Sequence, residues 1–298
     1  MKKVLVLGSN GMLGQNFLKR FYKDYEVTGV SLEKENLSKI QDMQYFSLDL
    51  TKRKEIQTII NKVSPDIIIN CAAFTDVDGC EDIKAECWEV NVHILENIFE
   101  CNFNKKPILV HISTDYIFDG RDGSYRENDL PNPQGEYARS KMAAENIIKT
   151  AELEYIIIRT QVLYGHGKQV RLNFATWVID QLKKENKIKV VDDQIGCPTY
   201  ALDAAEAVFR LLENKAYGIY HVSGAETISR YDFALKIADI FQLDSSFIER
   251  ARTEELKQKS PRPMDSSFIL DKLVNYTGWE PHDVKSGLQL LRQEIFNK

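Results

Sequence analysis

The sequence predicts an α/β fold: a Rossmann-type, doubly wound parallel sheet with helices on both faces, joined to a smaller α/β domain. Three observations predict it. Short β-branched runs alternate with helix-period segments through the first half, the rhythm of a parallel sheet covered by helices. A glycine-spaced turn, Gly8-Ser9-Asn10-Gly11-Met12-Leu13-Gly14, links the first run to the first helix. And 298 residues at 43% hydrophobic content suffice for a nucleotide-binding domain, a second domain and a real core.

Taken in order, the strand candidates of the first half are Lys3–Leu7, Glu26–Ser31 and residues 44–48, 65–70, 107–112 and 155–159. Residues 12–22, 52–62, 85–103 and 135–151 place apolar side chains three and four apart, so they read as helices. Thr51 stands where a cap would and Ser64 where a stop would. Beyond Gly167 the pattern loosens: helix 173–184, strand 187–191, loop 192–199, helix 202–213, strand 218–222, and helices 229–241 and 285–296. The predicted division is residues 1–165 as the cofactor domain, with returning segments about 192–222, and 166–298 as a mainly substrate-binding, discontinuous domain.

Charge excludes several functions. The net charge of −5 is spread without a basic stripe, so neither nucleic acid nor an anionic membrane is an expected partner. Met-Lys-Lys runs straight into a short apolar strand, which predicts no signal peptide, and no apolar run reaches membrane-spanning length. Five cysteines without a CxxC pair, and five scattered histidines, predict a reduced cytoplasmic protein without a metal site.

The glycine turn is suited to a pyrophosphate. Glycines allow close backbone approach, and the first turn of the following helix offers unpaired amides and a favourable field. At the end of the second strand, where an acidic residue would bind a ribose 2′-hydroxyl, the chain carries Val30-Ser31. Ser31 leaves room for a 2′-phosphate that Lys34 could pair with, so NADPH is favoured. Glu33 is the rival ribose ligand, and NADH the alternative. Asp49-Leu50 follows the third strand, where it meets either an adenine edge or the start of the next helix. Ala72, Ala73 and Phe74 follow the fourth strand, where small side chains let the backbone run beneath a cofactor or pack tightly.

The strand at 107–112 ends in Ser113-Thr114-Asp115-Tyr116, and one helix later comes Tyr137-Ala138-Arg139-Ser140-Lys141. Tyrosine and lysine four apart share a helix face, so the ammonium is expected to lower the phenol pKa from its ordinary value of about 10. Thr114 can hold a substrate oxygen from the other side. Together these groups suit proton transfer to a carbonyl oxygen while a nicotinamide delivers hydride.

These parts, in this order, resemble the extended short-chain dehydrogenase/reductase family and, within it, the dTDP-4-dehydrorhamnose reductases. The likeness runs over nearly the whole chain. It includes the segments 70–81, 113–120, Tyr137 to Lys141 with Glu145, 158–160, 163–165, 193–199, 220–224, Tyr231-Asp232-Phe233 and Arg262-Pro263. It implies that Thr114, Tyr137 and Lys141 are catalytic. Gly8, Asn10, Gly11, Met12, Leu13, Gly14, Asp49, Leu50, Ala72, Ala73, Phe74, Asn91 and Ser113 would line the cofactor. Asp115, Tyr116, Asn173, Gln194 and Arg262 would hold a sugar nucleotide, the planar fork of Arg262 suiting a diphosphate or else an ion pair between domains. The implied activity is NADPH-dependent reduction of a nucleotide-linked 4-keto-6-deoxy sugar for surface polysaccharide.

Two departures stand out. Val162 occupies the place where rhamnose-forming members usually carry tryptophan, which opens the sugar pocket. Gln15-Asn16 stands where some members place a glutamate that holds magnesium at a dimer interface, so a homodimer has no metal link to rely on. The segment from Val162 to Gly165 also looks like the regulatory β subunits of methionine adenosyltransferases, which share the fold and bind NADP as partners rather than enzymes.

Overall fold

The computed structural model describes residues 1–296 apart from 39 and 42. β1 (Lys3–Leu7) leads through the glycine turn into α1 (Met12–Phe21). Then come β2 (Glu26–Ser31), β3 (Gln44–Ser47), α2 (Arg53–Val63), β4 (Ile67–Asn70), and the short helices α3 (Gly79–Asp82), α4 (Lys84–Trp88) and α5 (Ile94–Phe99). β5 (Ile108–Thr114), α6 (Glu136–Thr150) and β6 (Tyr155–Thr160) follow. The second half holds β7 (Leu163–Tyr164), α7 (Phe174–Lys183), β8 (Ile188–Val191), β9 (Ile195–Gly196), β10 (Thr199–Tyr200), α8 (Ala201–Glu213) and β11 (Gly218–His221). Last are β12 (Ile228–Ser229), α9 (Arg230–Phe241), β13 (Ile248–Ala251), α10 (Asp271–Thr277) and α11 (Val284–Phe296).

Seven strands make one parallel sheet in the order β11-β6-β5-β4-β1-β2-β3, a Rossmann-type arrangement. Its strands are apolar on both faces because both are covered. Val4 and Val6 point to one core with Phe17, Phe21, Val208 and Leu211, whereas Leu5 and Leu7 point to the other with Ile56, Ile60, Ile98 and Ile148. A third core, built from Tyr164, Val178, Ile179, Phe233, Ile237 and Leu288, belongs to the C-terminal half. Among the described residues no helix is long and apolar enough to cross a membrane.

The differences from the sequence reading are local. The single helix predicted over 85–103 is broken by a π-helical turn, Glu89–His93, where the Asn91 side chain turns inward to serve two neighbouring segments. Ser64 does end α2, in the left-handed conformation with φ 47°. Thr51 does not cap it: its hydroxyl donates to Asp49, and Lys52 takes the cap position without a side-chain bond. β13 and α10 escape the periodicity because they are only four and seven residues long. The left-handed Gly278 that closes α10 was the available stop signal.

Candidate active site

Strand order reverses between β1 and β4, and ligands of such sheets bind in the crevice beyond the strand ends at that point. Gly8 (φ +74°) turns the chain there. A Cβ on Gly8 would lie 2.7 Å from the Ala72 amide nitrogen, and one on Gly14 would lie 2.2 Å from the Gly8 carbonyl oxygen. Close packing therefore requires these two glycines, and the same packing presents the first amides of α1 to a cleft of about 1700 Å³, solvent-filled mouth included. Asn10, Gly11, Met12, Leu13, Gly14, Ala73, Ser113, Thr114, Asp115, Tyr116, Tyr137, Lys141, Val162 and Asn173 all line it. The volume of the cleft and its glycine-lined end fit an extended dinucleotide.

At that end the Ser31 hydroxyl accepts the Asn10 amide at 2.9 Å, and the Asn10 side chain donates to Glu33 at 3.1 Å. Glu33 lines the cleft, whereas Lys34 is exposed outside its lining. The chain beyond Ser31 is tied back through Asn10 to residues 33, 35 and 37. The Asp49 carboxylate accepts the Thr51 amide and hydroxyl just before α2, and Leu50 is buried in the core. Ala72 packs against that same core beneath Gly8. Asn91, buried, accepts the Phe74 amide at 2.8 Å and donates to the Phe74 carbonyl and to Ser140. It pins the segment after β4 to α6, a positioning role that puts neither Asn91 nor Phe74 on the cleft wall.

The Tyr137–Lys141 face of α6 looks into the middle of the cleft. Thr114 lies against the Tyr137 phenol, and the Tyr116 ring meets the Tyr137 ring edge-on at 5.9 Å between centroids. Burial pushes the phenol up, Thr114 opposes, and Asp115 and Tyr116 add to the rise, so the phenol is held protonated. The expected downward shift by the ammonium is absent because Lys141 spends its hydrogen bonds elsewhere: Nζ donates to the Ile112 carbonyl at 2.5 Å and lies 3.3 Å from His111 Nε2. Burial brings the Lys141 ammonium down to about 8. Asn70 fixes the imidazole from behind. The Ala72 amide donates to its Oδ1, which turns Nδ2 toward His111 Nδ1 at 3.4 Å.

Ser113 donates to Glu145 at 2.6 Å, and Glu145 is gripped by Arg159 through two bonds of 3.0 and 2.9 Å. Burial alone would raise that carboxyl, but Arg159 and Ser113 hold it below its usual range. β5, β6 and α6 are locked together by this cluster directly behind the Thr114 strand end.

On the far wall, burial raises the Asp115 carboxyl to about 6, against bonds from Ser266 and Thr114 and the nearby Arg230 charge. Val162 adopts φ 43°, unusual for a β-branched residue. Asn173 caps α7 through Thr176 and reaches Gly165 and the Met12 sulfur. Gln194 lines a smaller pocket that adjoins the cleft through Asp115, Tyr116, Val162 and Arg230. Arg262 takes its ion-pair reading. It binds Asp78 at 3.0 Å and the Ser260 carbonyl, standing behind Tyr116 rather than on the cleft wall. Arg230, which lines both spaces, went unnoticed in the sequence because a cation opening a helix has no characteristic spacing. Gln15 and Asn16 bond residues 166 and 168, and among the described residues no three His, Cys, Asp or Glu converge as metal ligands.

The family model described as RmlD substrate binding domain matches residues 1–296. The chain belongs to that family. Its relatives include the dTDP-4-dehydrorhamnose reductase of Aggregatibacter actinomycetemcomitans, 30% identical over 98% of this chain and 99% of that protein. The spore coat polysaccharide biosynthesis protein SpsK of Bacillus subtilis is 32% identical over 99% of this chain and 98% of its own. The methionine adenosyltransferase 2 subunit beta of Xenopus laevis is 28% identical over 91% of this chain and 81% of its own length. Among solved structures, the dTDP-4-dehydrorhamnose reductase of Bacillus anthracis in complex with NADP superposes with a TM-score of 0.87, at 30% identity, over 99% of this chain and 100% of the other. The relatives thus include both reductases and a subunit of another enzyme, and the residues of the cleft must decide between them.

Proposed function

We propose that this member of the family is an NADPH-dependent reductase of the 4-keto group of a nucleotide-linked 6-deoxy sugar, acting in the cytoplasm on dTDP-4-dehydrorhamnose to give dTDP-L-rhamnose for surface polysaccharide. The observation that carries the reading is the Tyr137 phenol, held protonated beside Thr114 in a cleft that the glycine turn also lines. The glycines packed on Ala72 and the open amides of α1 fit a dinucleotide diphosphate, and the relative crystallised with NADP supports the phosphorylated cofactor. Gly11, Met12 and Leu13 would hold the pyrophosphate, with Ser31 and Asn10 at the adenosine end. When bound, the reduced nicotinamide supplies the hydride.

The chain's own groups do the rest. Tyr137 gives its proton to the carbonyl oxygen as negative charge develops there, which is when an acid of matched position contributes most. Thr114, whose hydroxyl otherwise donates to Asp115, turns that proton to the same oxygen. Lys141, anchored by Ile112 and His111, holds the catalytic face of α6 at fixed depth. Asp115, ionised above about pH 6, accepts from a sugar hydroxyl.

The test is oxidation of NADPH against a panel of nucleotide-linked 4-keto sugars. Turnover with the dTDP-linked 6-deoxy sugar supports the reading, and turnover with a different member of the panel reassigns the sugar. A second reading, a regulatory partner like the β subunit of methionine adenosyltransferase, draws on Val162 and on the Xenopus laevis relative. No oxidation across the panel, together with co-purification of a methionine adenosyltransferase, would replace the first reading by the second.

A further inference from the structure

Three arginines surround the substrate side of the cleft, and their partners differ. Arg262 is committed to Asp78 and the Ser260 carbonyl. Arg171, at the exposed rim, pairs with Asp76 at 3.7 Å. Arg230 has no ion-pair or hydrogen-bond partner for its guanidinium among the described residues; its one side-chain neighbour of note is the Phe174 ring, 5.3 Å below. Its charge is nevertheless felt inside the cleft, where it opposes the upward shifts of Asp115 and Tyr116. It lines both the main cleft and the smaller pocket, so the guanidinium stands where the two spaces join.

The position is also locally unfavourable. Arg230 is the first residue of α9, where the helix field disfavours a cation, and the other side chains of that turn serve the helix: Ser229 caps it and bonds Asp232. A residue that breaks a local rule and makes no ion-pair contact among the described residues marks a place where the gain lies in binding. The backbone of Arg230 is held by the Gln194 carbonyl at 3.0 Å, and its side chain is braced on Phe174, itself stacked on Phe233. The fork is therefore aimed rather than loose.

We propose that Arg230, and not Arg262, is the specificity-determining cation of the substrate site, receiving the diphosphate that links sugar to nucleoside at the junction of the two pockets. A guanidinium matches two phosphate oxygens at once and is more easily desolvated than an ammonium. The proposal rests on the nucleotide-linked substrate of the preceding reading. It assigns Arg262 to the support of Tyr116.

Calorimetric titration of dTDP and UDP into the protein saturated with NADP tests it, because saturation blocks the cofactor end. Arg230→Gln should weaken diphosphate binding by about 10- to 100-fold, Arg230→Lys by less, and both should keep NADP affinity and the thermal midpoint of the parent. Unchanged diphosphate affinity in Arg230→Gln overturns the assignment and leaves the reductase reading standing. A parent protein that binds NADP but neither diphosphate overturns the assignment and the nucleotide-linked substrate together.

Discussion

Glu145 and Arg159 meet through two parallel hydrogen bonds, with their side chains 0% and 2% exposed. A buried pair of this kind costs little to replace as a unit and much to break. Glu145→Ala leaves the guanidinium without its counter-ion and Ser113 without its acceptor, and should lower unfolding stability by about 3–5 kcal/mol. Glu145→Leu combined with Arg159→Met should recover much of that loss. Denaturant unfolding of the three proteins compares them, and a single variant as stable as the parent would show that the pair is dispensable.

Tyr137→Phe removes one hydroxyl from the wall of the cleft. Turnover should fall by about 10²- to 10⁴-fold, while the unfolding midpoint and NADPH affinity stay where they are. Parent-like turnover would take Tyr137 out of the proton-transfer step.

The lowered ammonium of Lys141 gives a signed pH dependence. With its folded pKa near 8 and an unfolded value of about 10.4, the unfolded chain binds the extra proton between those limits. Stability from this group therefore rises with pH from about 8 upward, and below that the folded state carries the whole cost of burying the charge. Lys141→Met removes the dependence. Between pH 7.5 and 10 the stability of the parent relative to the variant should improve by up to about 3 kcal/mol. A difference that stays flat over that range would mean Lys141 is not depressed.

Val162 sits at φ 43°, where any side chain bearing a Cβ is strained. Alanine usually beats glycine in folded backbone, but here the order should invert. Val162→Gly should unfold about 1 kcal/mol later than Val162→Ala. The usual order, measured by urea midpoints, would deny the strain.

Glu33 lines the cleft beside Asn10, and on the proposed placement of the adenosine there its carboxylate repels a 2′-phosphate while accepting from a 2′-hydroxyl. Glu33→Gln should shift preference toward NADPH over NADH by about 1 kcal/mol, roughly fivefold. Paired titrations with both cofactors read the ratio, and an unchanged ratio removes Glu33 from cofactor choice.

The central sheet was legible because each strand had to be apolar on both faces and each covering helix on one, and such patterns survive in a bare sequence. β1 and β2 begin and end at the residues anticipated, Lys3–Leu7 and Glu26–Ser31. Gly8 and Gly14 were legible for the same reason: steric need leaves one residue type. Side-chain partnership was not. Asp49 could have met an adenine or Thr51, and Arg262 a diphosphate or Asp78, a residue far earlier in the chain; the choice depends on which segments the fold juxtaposes. Arg230 carried no pattern at all, and the π-helical turn at Asn91 is invisible to a period of 3.6.

Gln15 joins two walls of the cleft, donating to the Asn10 carbonyl of the phosphate loop and to the Lys168 carbonyl, and accepting the Lys168 amide. Asn173 does likewise, touching Met12 from the cap of α7. The two binding regions thus share a mechanical member. On the proposed function, a ligand that shifts Gln15 at one region is felt at the other, and any coupling between the two ligands is reciprocal.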